Sequence, residues 1–130
     1  MSITPTQSQV EALAAMPAGE PVVMLNLLRF KEDADGIDAG MTGREAYGIY
    51  GQQTAPFLAR VGGRVLHAAD ARQTVIGPDE WDMAIFVEYP SAQNFLAMAT
   101  DPEYLKVHAH RDAALADSRL IACHSLALGG

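Results

Sequence analysis

Val22-Val23-Met24-Leu25-Asn26-Leu27-Leu28-Arg29-Phe30 carries two polar interruptions and no polar face at helical spacing. It reads as a β-strand, and its near-continuous apolar character predicts a strand covered on both faces. Helices of the same chain can cover one face. A sheet whose other face is also apolar needs a second cover, and another copy of the chain is the simplest one.

Upstream of this strand, Thr4-Pro5-Thr6-Gln7 matches a helix start: Thr4 as cap, Pro5 in the first turn, Gln7 closing a capping box. A helix over about 5–16 follows, ended by Pro17 and Gly19. Downstream, residues 31–41 form an acidic, glycine-containing loop. Its Asp33, Asp35 and Asp38 lack calcium-loop spacing, and Arg44 stands where a bidentate glutamate would fall, so a solvated loop is expected. Thr42-Gly43-Arg44-Glu45 is a second capping box. It opens a long helix whose buried stripe is Tyr47, Tyr50, Thr54, Phe57, Leu58 and Val61. Gly48, Gly51 and Pro56 predict a bend near residue 52 or 53, and Gly62-Gly63 ends the helix.

A hairpin comes next, with strands over 64–76 and 81–89 around the turn Gly77-Pro78-Asp79-Glu80. Pro90-Ser91 starts another helix, and Asp101-Pro102 recaps it into a second segment. That segment places Tyr104, Val107, His108 and Arg111 on one face. Residues 118–126 form the last strand. The order predicts an α+β protein: a ferredoxin-like βαββαβ arrangement with an extra N-terminal helix, an antiparallel sheet and helices on one face. Residues 1–130 read as one domain.

Composition narrows the function. The chain has 130 residues, 49% apolar and 19% charged, which excludes a disordered protein. A formal charge of −7 argues against the basic face that nucleic acid requires. The apolar run over 22–28 falls far short of the ~20 residues of a membrane span. No Lys or Arg precedes the apolar stretch over 12–18, so no signal peptide is expected. Cys123 stands alone in an apolar run, which predicts a buried, inert thiol and a reducing, cytoplasmic setting.

Several of these residues together resemble the dimeric α/β-barrel superfamily, and within it a small bacterial family known only as a domain of unknown function. The resemblance is carried by Asn26-Leu27-Leu28-Arg29-Phe30, Tyr47 with Tyr50, Gly62-Gly63-Arg64, Ile76-Gly77 and Trp81-Asp82. It continues through Glu88-Tyr89-Pro90-Ser91, Pro102-Glu103-Tyr104, Arg111 and Asp117-Ser118. It implies two sheets meeting face to face across a homodimer, with a cavity between sheet and helices. It implies no reaction.

Candidate site residues are polar groups that interrupt buried stripes. Asn26 lies mid-strand and can hold a ligand carbonyl or bond a neighbouring backbone. Arg29 points to the opposite face, where a surface or dimer ion pair is expected. His67 and His108 are the candidate catalytic bases. Tyr104 and Arg111 share the face of His108, where a base, a cation and a phenol can polarise a carbonyl or carboxylate. Alternatively, Arg111 pairs with a carboxylate such as Glu88 while Tyr104 packs. Tyr50 and Trp81 are further ligand-binding candidates. His108 and His110 are two apart on a helix and do not make a metal pair, so His110 is expected with Glu103 and Lys106 on the solvated face. No metal site, phosphate loop or dinucleotide fingerprint is present, and no cofactor is implied.

These residues support a homodimer that binds a small organic molecule, without nucleic acid or membrane partners. One alternative is a cofactor-free monooxygenase or isomerase, with His67 or His108 as base and Asn26 and Arg111 stabilising an oxyanion. The other is a non-enzymatic dimerisation module.

Overall fold

The computed structural model describes residues 2–128. Its elements are α1 (Gln7–Ala14), β1 (Val22–Phe30), a 3-10 turn (Gly36–Asp38), α2 (Gly43–Arg60), β2 (Arg64–Asp70), β3 (Met83–Tyr89), α3 (Ala92–Ala99), α4 (Pro102–Ala114) and β4 (Leu115–Cys123). The strands form one antiparallel sheet in the order β2-β3-β1-β4. This is the α+β, ferredoxin-like architecture expected from the element order, with the extra helix at the N-terminus.

β1 sits inside the sheet, bonded to β3 along one edge and β4 along the other. Its even-numbered side chains face the helices. Val22, Met24 and Leu28 are almost wholly buried there, and each such side chain contributes about 1.5–3 kcal/mol by leaving water. Val22, Met24 and Tyr89 pack with Tyr104 of α4 and Phe57 and Leu58 of α2. A second cluster joins Leu28 to Ala46, Ala114 and Leu115. Each cluster draws on both α2 and α4, so the two helices are held at both ends of β1.

Gly43 marks the tightest seam. Its N–H donates to the Lys31 carbonyl at 3.1 Å, and the Lys31 N–H donates to the Ala114 carbonyl at 2.8 Å. A methyl at Gly43 would come within 2.7 Å of the Ala114 oxygen and closer still to that of Lys31. Gly62, at φ +78°, turns the chain out of α2.

Local signals misplaced several boundaries. Thr6, not Thr4, caps α1, because Thr6 accepts from the Gln9 N–H at 3.2 Å and Gln9 Oε1 accepts from the Thr6 N–H at 2.8 Å. The helix runs through Pro56 without interruption. β2 stops at Asp70 instead of 76, since its last partner is Met83. Asp82 is drawn away to β1: its N–H donates to the Leu28 carbonyl at 2.7 Å, and its Oδ2 accepts from the Phe30 N–H at 2.8 Å. The hairpin loop therefore spans 71–82, and Ile76 is 92% exposed. β4 runs 115–123 rather than 118–126, because Leu115 pairs with Phe30 and Cys123 with Val23. Cys123 is only half-buried.

The acidic loop is not wholly solvated. Asp38 is 4% exposed, and its Oδ2 lies 2.7 Å from His110 Nδ1. His110 thus leaves the solvated face, where Glu103 and Lys106 pair with each other at 3.3 Å.

The odd-numbered side chains of β1 face away from the helices. Leu25 lies opposite Phe86 and Ile121, and this outer face is left half-open, with Ile121 46% exposed. At one end of it, buried Asp117 collects Arg29 at 3.2 Å and Arg119 at 2.9 Å. Both guanidinium groups stack over Trp81. The Ser2 and Ser118 N–H groups also donate to Asp117, at 2.7 and 2.9 Å. These donors, the Ser2 N–H foremost, hold its carboxyl at about 2, below the ordinary 3.8, although burial pushes the other way.

Two outcomes are expected. Gly43→Ala should lower the unfolding free energy by about 1–3 kcal/mol, read as an earlier urea midpoint; an unchanged midpoint would remove the close-approach argument. For Asp117, the unfolded chain takes up its proton first as pH falls. The stability gap between wild type and Asp117→Asn should therefore be complete above about pH 4 and close as pH falls toward 2. A gap that does not vary with pH would contradict this.

Candidate functional site

Helical spacing on α2 and α4 aims two rows of side chains at the same space. Tyr47, Tyr50 and Thr54 descend one face of α2; Tyr104, His108 and Arg111 descend one face of α4. Beneath them the helix-facing side of the sheet offers Asn26, Ile85 and Leu120. Together they bound a cavity of about 970 Å³. Segment 2–6 closes one side, tied down where Ser118 Oγ donates to the Ser2 carbonyl at 2.5 Å and Arg111 Nη1 to the Ile3 carbonyl at 3.1 Å.

The walls are mainly apolar, with Met24, Leu58, Val87, Phe95 and Leu96 among them. Among the cavity's polar groups, one set from α2 and α4 lies close together. Tyr50 and Tyr104 share a hydrogen bond of 2.6 Å between their hydroxyls. His108 lies edge-on to both rings, with centroids 6.5 and 5.9 Å away. Burial pushes the Tyr104 phenol well above its ordinary value, and the Tyr50 phenol beside it adds to the rise. Burial also lowers the His108 pKa, opposed by Asp112, whose Oδ2 is 3.4 Å from His108 Nδ1. With Nδ1 turned to Asp112, Nε2 is the nitrogen left for another partner.

Arg111 is 7% exposed. Among the described residues no carboxylate lies within 4 Å of it, and Glu88 instead pairs with Arg64 at 3.0 Å. The expected Arg111–Glu88 pair is absent, because Glu88 sits between inward-facing Val87 and Tyr89 and so points to the outer face. Asn26 Nδ2 donates to the Met24 and Ile85 carbonyls, both at a long 3.4 Å. Thr54 Oγ1 is buried and has no hydrogen-bond partner among the described residues.

Of the candidates read from the sequence, Asn26, Tyr50, Tyr104, His108 and Arg111 line this cavity. His67 and Trp81 do not. His67 pairs with Phe86 on the outer face, since a bulge between Val65 and His67 reverses the alternation. Trp81 braces the two arginines there and lines a smaller hollow of about 300 Å³ beside the 71–82 loop. Thr54 escaped notice as a site group because a threonine on an apolar stripe reads as packing. Among the described residues no three His, Cys, Asp or Glu side chains gather as a metal would need, and no helix is long and apolar enough to cross a membrane.

Known proteins place this geometry in a family. A protein of unknown function from Rhodopseudomonas palustris is 38% identical, with a TM-score of 0.90, over 97% of this chain and 98% of its own. More distant structures share the fold alone. One from Bacteroides fragilis, described as dimeric and ferredoxin-like, is 10% identical over 81% of this chain and 96% of its own, with a TM-score of 0.55. Another, a Dabb family protein with a ferredoxin-like fold from Mesorhizobium loti, is 11% identical over 82% of this chain and 98% of its own, with a TM-score of 0.52. No curated protein matches the chain. The family model for a domain of unknown function, DUF1330, matches residues 37–124, and the chain belongs to that family.

Proposed function

We propose that this protein is a single-domain homodimer that binds a small organic molecule in the cavity between its sheet and its helices. The observation that carries the binding is the cavity: about 970 Å³ of mainly apolar wall, with the Tyr50, Tyr104 and His108 side chains gathered on it. Small-molecule sites of 300–1,000 Å³ are built in that way. A module made only to dimerise would have no need of such a space.

The dimer rests on the outer face of the sheet, where Leu25, Phe86 and Ile121 lie together with their apolar surface half-open. A second copy laid on this face buries both. The description of the Bacteroides fragilis relative as dimeric supports the same arrangement. A reducing, cytoplasmic setting fits the lone Cys123.

A second reading is favoured by one observation, His108 at the cavity wall with Nδ1 turned to Asp112 and Nε2 left for a substrate. In a cofactor-free enzyme its Nε2 would take a proton from a carbon beside a substrate carbonyl, with Arg111 and Asn26 near the developing enolate oxygen.

Thermal-shift screening of aromatic acids, amides and alcohols should raise the melting temperature by a few degrees for some of them, since ligand at a hundred times Kd adds ~2.7 kcal/mol. A flat response across the set contradicts the binding. Solution mass at low micromolar concentration should be twice that of the chain, and a stable monomer removes the dimer. For the enzymatic reading, solvent deuterium should enter phenylpyruvate beside its carbonyl faster with wild type than with His108→Gln. Equal rates sink that reading and leave the binding intact.

A further inference from the structure

Arg111 sets a requirement that the protein itself does not meet. Its guanidinium is always charged and carries five N–H donors in a planar fork. It is 7% exposed, and one donor is used on the Ile3 carbonyl at 3.1 Å. No Asp or Glu among the described residues approaches within 4 Å, whereas the ion pairs of Arg29, Lys31, Arg44, Arg64, Lys106 and Arg119 lie at the surface or on the outer face. A cation buried without a counter-charge is costly. Asp112, next to it in sequence, is turned to His108.

The cavity wall that Arg111 shares offers hydroxyl donors, and its one carboxylate, Asp112, is turned to His108 at 3.4 Å. Tyr50 and Tyr104 meet hydroxyl to hydroxyl at 2.6 Å; one hydroxyl hydrogen lies between their oxygens, and the second is free to point elsewhere. Thr54 Oγ1 is buried with no partner among the described residues. Along the sheet the wall is mainly apolar, with Met24, Ile85, Val87 and Phe95. From this arrangement we infer that the ligand of the cavity is an organic monocarboxylate, its carboxylate on Arg111 and its apolar body along the sheet.

The class follows from charge and shape. A carboxylate accepts two parallel bonds from a guanidinium fork. Of the two arginines on the wall, Arg119 is paired with Asp117, which leaves Arg111 to balance one negative charge. A phosphate dianion would call for a second cation without a carboxylate partner, and Arg119 is already paired. The chain as a whole carries −7, so attraction for an anion has to be local. This assignment rests on the reading of the cavity as a binding site and goes beyond it by naming the chemistry of the ligand.

The test compares two probes of one shape, 2-naphthoate and 2-naphthamide, by calorimetry on the full chain at pH 7.5. Wild type should bind the acid at least tenfold more tightly than the amide, and Arg111→Gln should bring the two to parity. Arg111→Lys keeps the charge without the fork and should retain a smaller preference for the acid. Should Arg111→Gln fail to fold, the wild-type comparison and the lysine variant still decide. Equal affinity of wild type for acid and amide overturns the carboxylate assignment while the cavity remains a binding site. Binding of neither probe overturns both.

Discussion

β1 is hydrogen-bonded along both edges, so its side chains have only the two faces of the sheet to occupy. Nearly all of them are apolar, and both faces must therefore be kept from water. On one face α2 and α4 do this, held by Val22 and Met24 at one end and Leu28 at the other. Between those two anchor points the sheet presents Asn26, and the helices stand off from it. The cavity is thus a consequence of how the strand is covered: packed at its ends and open in its middle. The other face is left half-open, with Ile121 46% exposed.

Much of this could be read from local chemistry. The Thr42–Glu45 capping box, the Gly62 exit and the Asp101-Pro102 recap each act within a few residues, and each stands where the sequence put it. Local rules failed where two frames overlap or where a distant partner decides. Thr4 and Thr6 each have a glutamine three residues on, and the fold uses the second pair. The start of β4 at Leu115 depends on Phe30, far away in the chain. Asp38 and His110, 72 positions apart, meet only after α4 docks on the acidic loop.

The site was half legible for the same reasons. Tyr104, His108 and Arg111 share a face by helical spacing alone, so their convergence needed no tertiary information. The direction of His67 could not be had in that way. Regular alternation would place it with Val65 on the cavity side, but one extra residue in β2 turns it to the outer face. The isolation of Arg111 is likewise a property of the whole sheet. It follows from Glu88 pointing outward to Arg64 and Asp117 being taken by Arg29 and Arg119.

The central claim is that a buried guanidinium faces this cavity with no carboxylate of its own. A crystal structure of the protein grown with 2-naphthoate tests it most directly. The account expects the naphthyl ring against Met24 and Val87, and the carboxylate oxygens about 2.7–2.9 Å from the Arg111 nitrogens. A naphthoate seated elsewhere, or an Asp or Glu side chain of the protein closed onto Arg111, would contradict it.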